Sequence, residues 1–262
     1  MKNIWAIARR QYENYFVSPI AYAVLTIFLL VMGYFFYNIL RLIVENSMME
    51  AMQSQQFGGL PPGVDVPSQV ARNFFGILST ILLFMLPMIT MGLFAEEKKQ
   101  GTLELLMTSP LTSVQIVLGK FLAALAFFVS MLLPTLLYFE IMQVYSQPHF
   151  PWGPVFNSFF GILLLGGALL ALGSFISSLT ENQIIASVST FGVFLILWVL
   201  DISSRSGESK LGEVLGYLSV LNHFEDFSKG IFDTTHLIFY LSFMAFSLLL
   251  TLRSLESLRW RQ

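Results

Sequence analysis

Six long apolar runs divide this chain, each close to the length that crosses about 30 Å of hydrocarbon at about 1.5 Å per helical residue. They extend from about Pro19 to Leu40, Phe74 to Ala95, Val117 to Phe139, Val155 to Ser178, Ile184 to Ile202 and His236 to Leu252. The sixth is the shortest and is expected to stand nearly upright. The pattern predicts an all-α integral membrane protein, one transmembrane domain over 1–262, with both termini on the same side. Ahead of the first span, residues 1–16 place Ile4, Trp5, Ala8, Tyr12 and Tyr15 in one helical arc, with Lys2, Arg9 and Glu13 opposite. That is the pattern of an amphipathic helix lying in the membrane interface, the alternative being a basic flank that only orients the protein.

The connections are unequal. Arg41 to Asn73 predicts a long external loop, broken in its middle, Gln53 to Gln69, by Gly58-Gly59, Pro61-Pro62-Gly63 and Pro67. Spans four and five are joined around Thr180-Glu181-Asn182-Gln183, a capping-box pattern in a connection too short for a domain. In residues 211–235, Leu211, Val214, Leu215, Leu218, Leu221 and Phe224 recur at helical spacing. Glu213, Asn222, His223, Glu225, Asp226 and Lys229 interrupt that stretch, and a charge at the bilayer centre costs at least about 2.5 kcal/mol. The segment is expected to form one or two short re-entrant or interfacial helices on the external side, or else an exposed loop.

Charge supplies the orientation. Lys2, Arg9, Arg10, Lys98, Lys99, Lys120, Arg253, Arg259 and Arg261 fall on the face of the termini, and Arg41, Arg72, Arg205, Lys210 and Lys229 on the other, a split of 9 against 5 among the 14 basic residues. The positive-inside rule puts both termini and the connection after span two in the cytoplasm. Only 11% of residues are charged and the mean hydropathy is +0.71, where soluble domains carry roughly 25% charged residues. A net charge of −2 gives no reason to expect nucleic acid as a partner. Without cysteine there is no disulfide, thiol catalysis or thiolate metal site. The N-terminal pattern does not resemble a cleaved signal peptide.

Candidate chemistry is sparse, and no catalytic, metal-binding or cofactor-binding residue is expected. His149, His223 and His236 fall in or beside external loops, far apart in sequence and without acidic partners at ligand spacing, which predicts solvated or capping histidines. Gly119-Lys120 is followed by Phe121 and is no P-loop, so any use of nucleotide belongs to another subunit. No Asp, Glu, Lys or Arg lies near a span midpoint, which argues against an ion-coupled carrier. Pro87 and Pro134 are expected to bend spans two and three, as a hinge, a widened cavity or a static kink. Gly167, Ala171, Ser174 and Ser178 form a small-residue stripe suited to internal packing or to a dimer seam.

One polar interruption carries more. Residues 96–116 leave span two as Glu96-Glu97-Lys98-Lys99-Gln100 and turn at Gly101. Thr102 to Thr108 can then form about two helical turns with Leu103, Leu106 and Met107 on one side. Ser109-Pro110 stops that helix, and Thr112 or Ser113 can cap the next. The geometry is a lever held at both ends by the membrane.

The run EEKKQGTLELLMTSPLTSVQIVLGK, Glu96 to Lys120, resembles the cytoplasmic coupling-helix region of ABC type-2 exporter permeases. The layout of surface helix, six spans and external half-helices resembles theirs over nearly the whole chain. Leu218 to Asp233, LSVLNHFEDFSKGIFD, is similar to the bacterial subgroup of gliding-motility-type and nitrous-oxide-reductase-maturation permeases. The resemblance implies a permease subunit of an exporter in a bacterial inner membrane, paired with a second permease and driven by a separate ABC ATPase. It implies that Glu96, Glu97, Gly101, Thr102, Glu104, Leu105 and Pro110 form or position the docking contact. Glu97 and Glu104 would meet basic residues of the ATPase, and Leu103, Leu105 and Leu106 would supply apolar contact. Two alternatives stand beside it: a helix that only orients spans two and three, and a non-transporting scaffold that relays ATPase motion to an extracytoplasmic accessory protein.

Overall fold

The computed structural model describes residues 2–56, 65–108, 110–145, 152–205 and 219–259, and all regular structure among them is helical. In chain order the helices are α1 (Lys2–Val17), α2 (Pro19–Gln56), α3 (Val66–Thr90), α4 (Ala95–Lys99), α5 (Thr102–Thr108) and α6 (Ser113–Leu132). A 3-10 turn (Leu133–Thr135) leads into α7 (Leu136–Tyr145), followed by α8 (Trp152–Leu179), α9 (Gln183–Arg205), α10 (Asn222–Ser228) and α11 (Thr234–Arg259). Among the described residues six stretches are long and apolar enough to cross a membrane: Ala21–Ser54, Val66–Lys99, Ser113–Tyr145, Trp152–Leu179, Gln183–Asp201 and Thr234–Ser257.

Helix α8 is the axis of the bundle, with α3, α6, α9, α10 and α11 packed around it. Between apolar helices in lipid there is little hydrophobic driving force, so close approach and hydrogen bonding must supply the association. Two glycines of α8 show how close that approach is. A Cβ at Gly166 would fall 2.2 Å from the Phe128 ring of α6, and one at Gly173 would fall 2.5 Å from Thr90 Oγ1 of α3. In the half of the bundle away from α4 and α5, Phe36, Phe74, Phe75, Tyr138, Phe139 and Phe159 lock α2, α3, α7 and α8 together, with Phe75 and Phe139 stacked at 5.6 Å.

Several elements run differently from the sequence expectation. Helix α2 does not end near Leu40 but continues through 38 residues to Gln56, roughly 57 Å at the usual rise. A hydropathy window stops where charges begin, whereas a helix does not. Residues 41–56 contain neither Gly nor Pro, and Arg41 pairs with Glu45 across one turn at 2.7 Å. Helix α3 starts earlier than Phe74, because Asp65 accepts the Ser68 N–H and Pro67 fits the first turn, where no N–H is needed. The Gly58-Gly59 and Pro61-Pro62-Gly63 breakers lie outside the described residues. Between spans four and five the cap of α9 is Asn182, whose Oδ1 accepts the Ile184 N–H at 2.9 Å, rather than Thr180. Pro87 stays inside a continuous α3, while Pro134 sits in the 3-10 turn that interrupts span three.

Helix α1 docks lengthwise on α6. A Cβ at Gly119 would strike Ile7 at 2.7 Å, Tyr15 stacks on Phe127, and the Tyr12 and Ser130 hydroxyls are 2.8 Å apart. The packed arc therefore runs through Ile4, Ile7, Ala8, Gln11, Tyr12, Tyr15 and Phe16. Trp5, placed on the apolar arc by the sequence pattern, is 71% exposed. Burial pushes the Tyr15 phenol well above its usual range, so it stays protonated and donates to the Ile89 carbonyl at 3.3 Å.

Candidate docking segment and its anchors

Helices α4 and α5 hang between α3 and α6, and their separation depends on one backbone conformation. Gly101 follows α4 at φ +70°, with its N–H on the Lys98 carbonyl at 3.1 Å, a left-handed cap that turns the chain into α5. Helix α5 occupies the residues where the sequence predicts two turns. Of the two proposed caps for α6, the structure uses Thr112, which exchanges hydrogen bonds with Gln115 in a reciprocal capping box.

The structure sorts the predicted docking residues by direction. Leu103 is 3% exposed and Leu106 is partly buried against the core, so both hold α5 to its own chain. Leu105 is 71% exposed, and Gly101, Glu104, Thr108 and Pro110 are exposed with it. Thr102 is half-buried and donates to the Glu97 carbonyl at 3.4 Å. Glu96 faces outward and accepts from Gln100 at 3.2 Å. The Met107 side chain and Ser109 lie outside the described residues.

Glu97 faces inward. Its Oε1 lies 2.7 Å from Nζ of Lys120, a lysine of α6 that is 2% exposed, and its Oε2 is buried with no hydrogen-bond partner among the described residues. The same ammonium donates to the Leu93 carbonyl and lies 5.1 Å from the centre of the Phe94 ring. Across the turn, Ser177 of α8 accepts the N–H groups of Phe94 and Ala95, each at 3.2 Å, and donates to the Met91 carbonyl at 3.0 Å. Lys98 donates to the Ser178 carbonyl, which also receives the Ser254 hydroxyl of α11 at 3.2 Å. The expected lever is thus tied to α8 as well as to its own flanking spans, and through the shared Ser178 carbonyl to α11. Sequence reasoning counted Lys120 only as a cytoplasmic charge, although a lysine among Val117, Leu118, Phe121 and Leu122 was a signal that it needs a buried partner.

The stripe residues Gly167, Ala171, Ser174 and Ser178 all lie inside the chain. A Cβ at Gly167 would sit 3.0 Å from Sδ of Met244 on α11, and Ser174 and Ser178 bond back to their own helix at 2.7 Å.

The Met244–Gly167 and Ser254–Ser178 contacts show α8 and α11 running side by side in the same direction. Extrapolated back, Thr234 lies level with about residue 157 of α8, so α8 stands roughly a turn and a half taller. Helix α10 fills that step. Phe227 is fully buried against Gly161, where a Cβ would meet its own at 2.5 Å, and its carbonyl accepts from Asn157 and Ser158 at 3.2 Å. Of the 211–235 stretch, residues 211–218 lie outside the described residues, as does His149.

The remaining histidines are not solvated caps. His223 is buried with Nδ1 2.7 Å from Nδ1 of His236, whose Nε2 lies 2.9 Å from Asp226 Oδ2. Since the carboxylate accepts, His236 Nε2–H donates, and the Nδ1 of a neutral His236 then accepts from His223 Nδ1–H. The spacing 223, 226, 236 hid this relay because a turn separates α10 from α11. Glu225 and Asp226 also reach Lys229 at 2.9 and 3.6 Å, and Arg72 of α3 lies 3.9 Å from Glu225.

The described residues form a helical bundle with six stretches long and apolar enough to cross a membrane and a short helix between the second and third of them. The chain belongs to the family described as ABC-2 family transporter protein, matched over residues 5–252. It is similar to the probable multidrug ABC transporter permease YbhR of Escherichia coli strain K12, with 27% identity over 209 residues covering 74% of this chain and 54% of that protein. The YbhR of Escherichia coli O157:H7 matches to the same extent. The chain therefore spans about half the length of the curated relatives it matches. Members of this family are multi-pass membrane permeases that lack a catalytic ATPase domain and pair with a separate ATPase subunit.

Proposed function

We propose that this permease drives export across a bacterial inner membrane, with α4 and α5 as the cytoplasmic docking element for the ATPase and both termini on the same side. The observation that carries this reading is the division of α5 into an inward leucine, Leu103, and an outward face of Glu104, Leu105 and Thr108, on a segment tied by polar contacts to several spans. A surface that served only to orient two spans would not need an exposed leucine beside an exposed carboxylate. Glu96, Gly101, Thr102, Glu104, Leu105 and Pro110 form or position the contact, while Glu97, Leu103 and Leu106 hold the segment to the bundle. A second permease completes the assembly, and the similarity of Leu218–Asp233 to the gliding-motility-type and nitrous-oxide-reductase-maturation permeases supports a grouping with them.

The test is copurification with an ABC ATPase coexpressed with the permease. Glu104→Arg together with Gly101→Pro is expected to abolish association while the chain remains inserted. Unchanged association would overturn the docking assignment. Transport itself is tested by ATP-dependent movement of a fluorescent cationic dye in proteoliposomes holding both subunits. That probe follows from the multidrug description of YbhR.

A further inference from the structure

We infer that Glu97 and Lys120 are a positioning pair that carries motion of the docking segment into span three, an inference that rests on the docking reading above. One ammonium from α6 gathers the Leu93 carbonyl and the face of Phe94 in the turn between α3 and α4, and the Glu97 carboxylate of α4 at 2.7 Å. The opposite side of the turn is held to α8 by Ser177 through neutral hydrogen bonds of 3.0 to 3.2 Å. Lys98 adds a charge-assisted bond to the Ser178 carbonyl of α8, but only the attachment to α6 joins two opposite charges. A push on α5 and α4 is therefore passed to α6 through that pair.

Stability alone does not account for the pair. A buried ion pair gains little over apolar side chains of similar volume, because desolvation offsets the attraction, and removing one partner is far more damaging than removing both. The pair also leaves Oε2 of Glu97 buried and unbonded, an acceptor that a different arrangement of the turn can satisfy. The present geometry is one position of a tether that has a reason to adopt another.

The experiment uses the permease with its ATPase in lipid nanodiscs. Because the chain has no cysteine, Val144→Cys places one thiol at the exposed outer end of span three. Its rate of labelling by a maleimide is compared in the nucleotide-free complex and in the complex trapped with ATP and vanadate. In the otherwise unaltered chain the rate is expected to change severalfold. Lys120→Met alone is expected to lower the melting temperature. Lys120→Met with Glu97→Gln restores melting and still copurifies with the ATPase, but loses the nucleotide-dependent change, and Lys120→Arg recovers part of it. A double variant that keeps the full labelling change overturns the inference and leaves docking intact, as does an unaltered complex whose rate is indifferent to nucleotide. Failure of the unaltered chain to hold the ATPase overturns both.

Discussion

Leu103 and Leu105 are two positions apart on a two-turn helix and do opposite work. Leu103 fills the chain's own core, so Leu103→Ala is expected to cost about 2 to 5 kcal/mol of stability. Leu105 stands in solvent, so Leu105→Ala should leave the melting temperature unchanged while weakening ATPase binding by about tenfold, the effect of losing an apolar anchor at an interface. Melting curves and binding isotherms on the two variants separate the roles, and equal effects on both would remove the distinction between them. Gly101 belongs to a third class. At φ +70° with open space around its Cβ position, it resists substitution through backbone strain alone. Gly101→Ala should cost about 1 to 2 kcal/mol, and Gly101→Asn less, because Asn tolerates the left-handed region.

Helix α10 shows the same division at the level of an element. Its seven residues are too few to hold a helix unaided, and its place depends on the step left by α11, the notch at Gly161 and the relay Asp226–His236–His223. Gly161→Leu should expel Phe227, and His223→Leu should break the relay. Each should raise hydrogen–deuterium exchange across residues 222–233 without altering ATPase association, because the docking segment lies at the other end of α8. The sequence revealed α5 because Gly101, Pro110 and a run of helix formers are local signals that need no tertiary partner. It did not reveal the extension of α2, because charge ends an apolar run without ending a helix. Nor did it reveal Lys120–Glu97 or the histidine relay, since each joins elements whose approach is decided by packing around α8.

For the molecule as a whole, every functional assignment depends on which side of the membrane each end occupies. The docking reading requires α5 to face the ATP-containing compartment, and the α10 relay to face the other. The basic residues favour that orientation by 9 to 5, a modest bias, and the fold brings one of the nine, Lys120, into a buried ion pair. A direct measurement is available because the chain carries no native cysteine. Leu105→Cys and Ile231→Cys each introduce one exposed thiol, at opposite ends of the bundle. In intact cells a membrane-impermeant maleimide should modify Cys at 231 and spare the one at 105, with both reacting after permeabilisation. The reverse pattern would put α5 where no ATPase can reach it, and the docking and tether proposals would fall together.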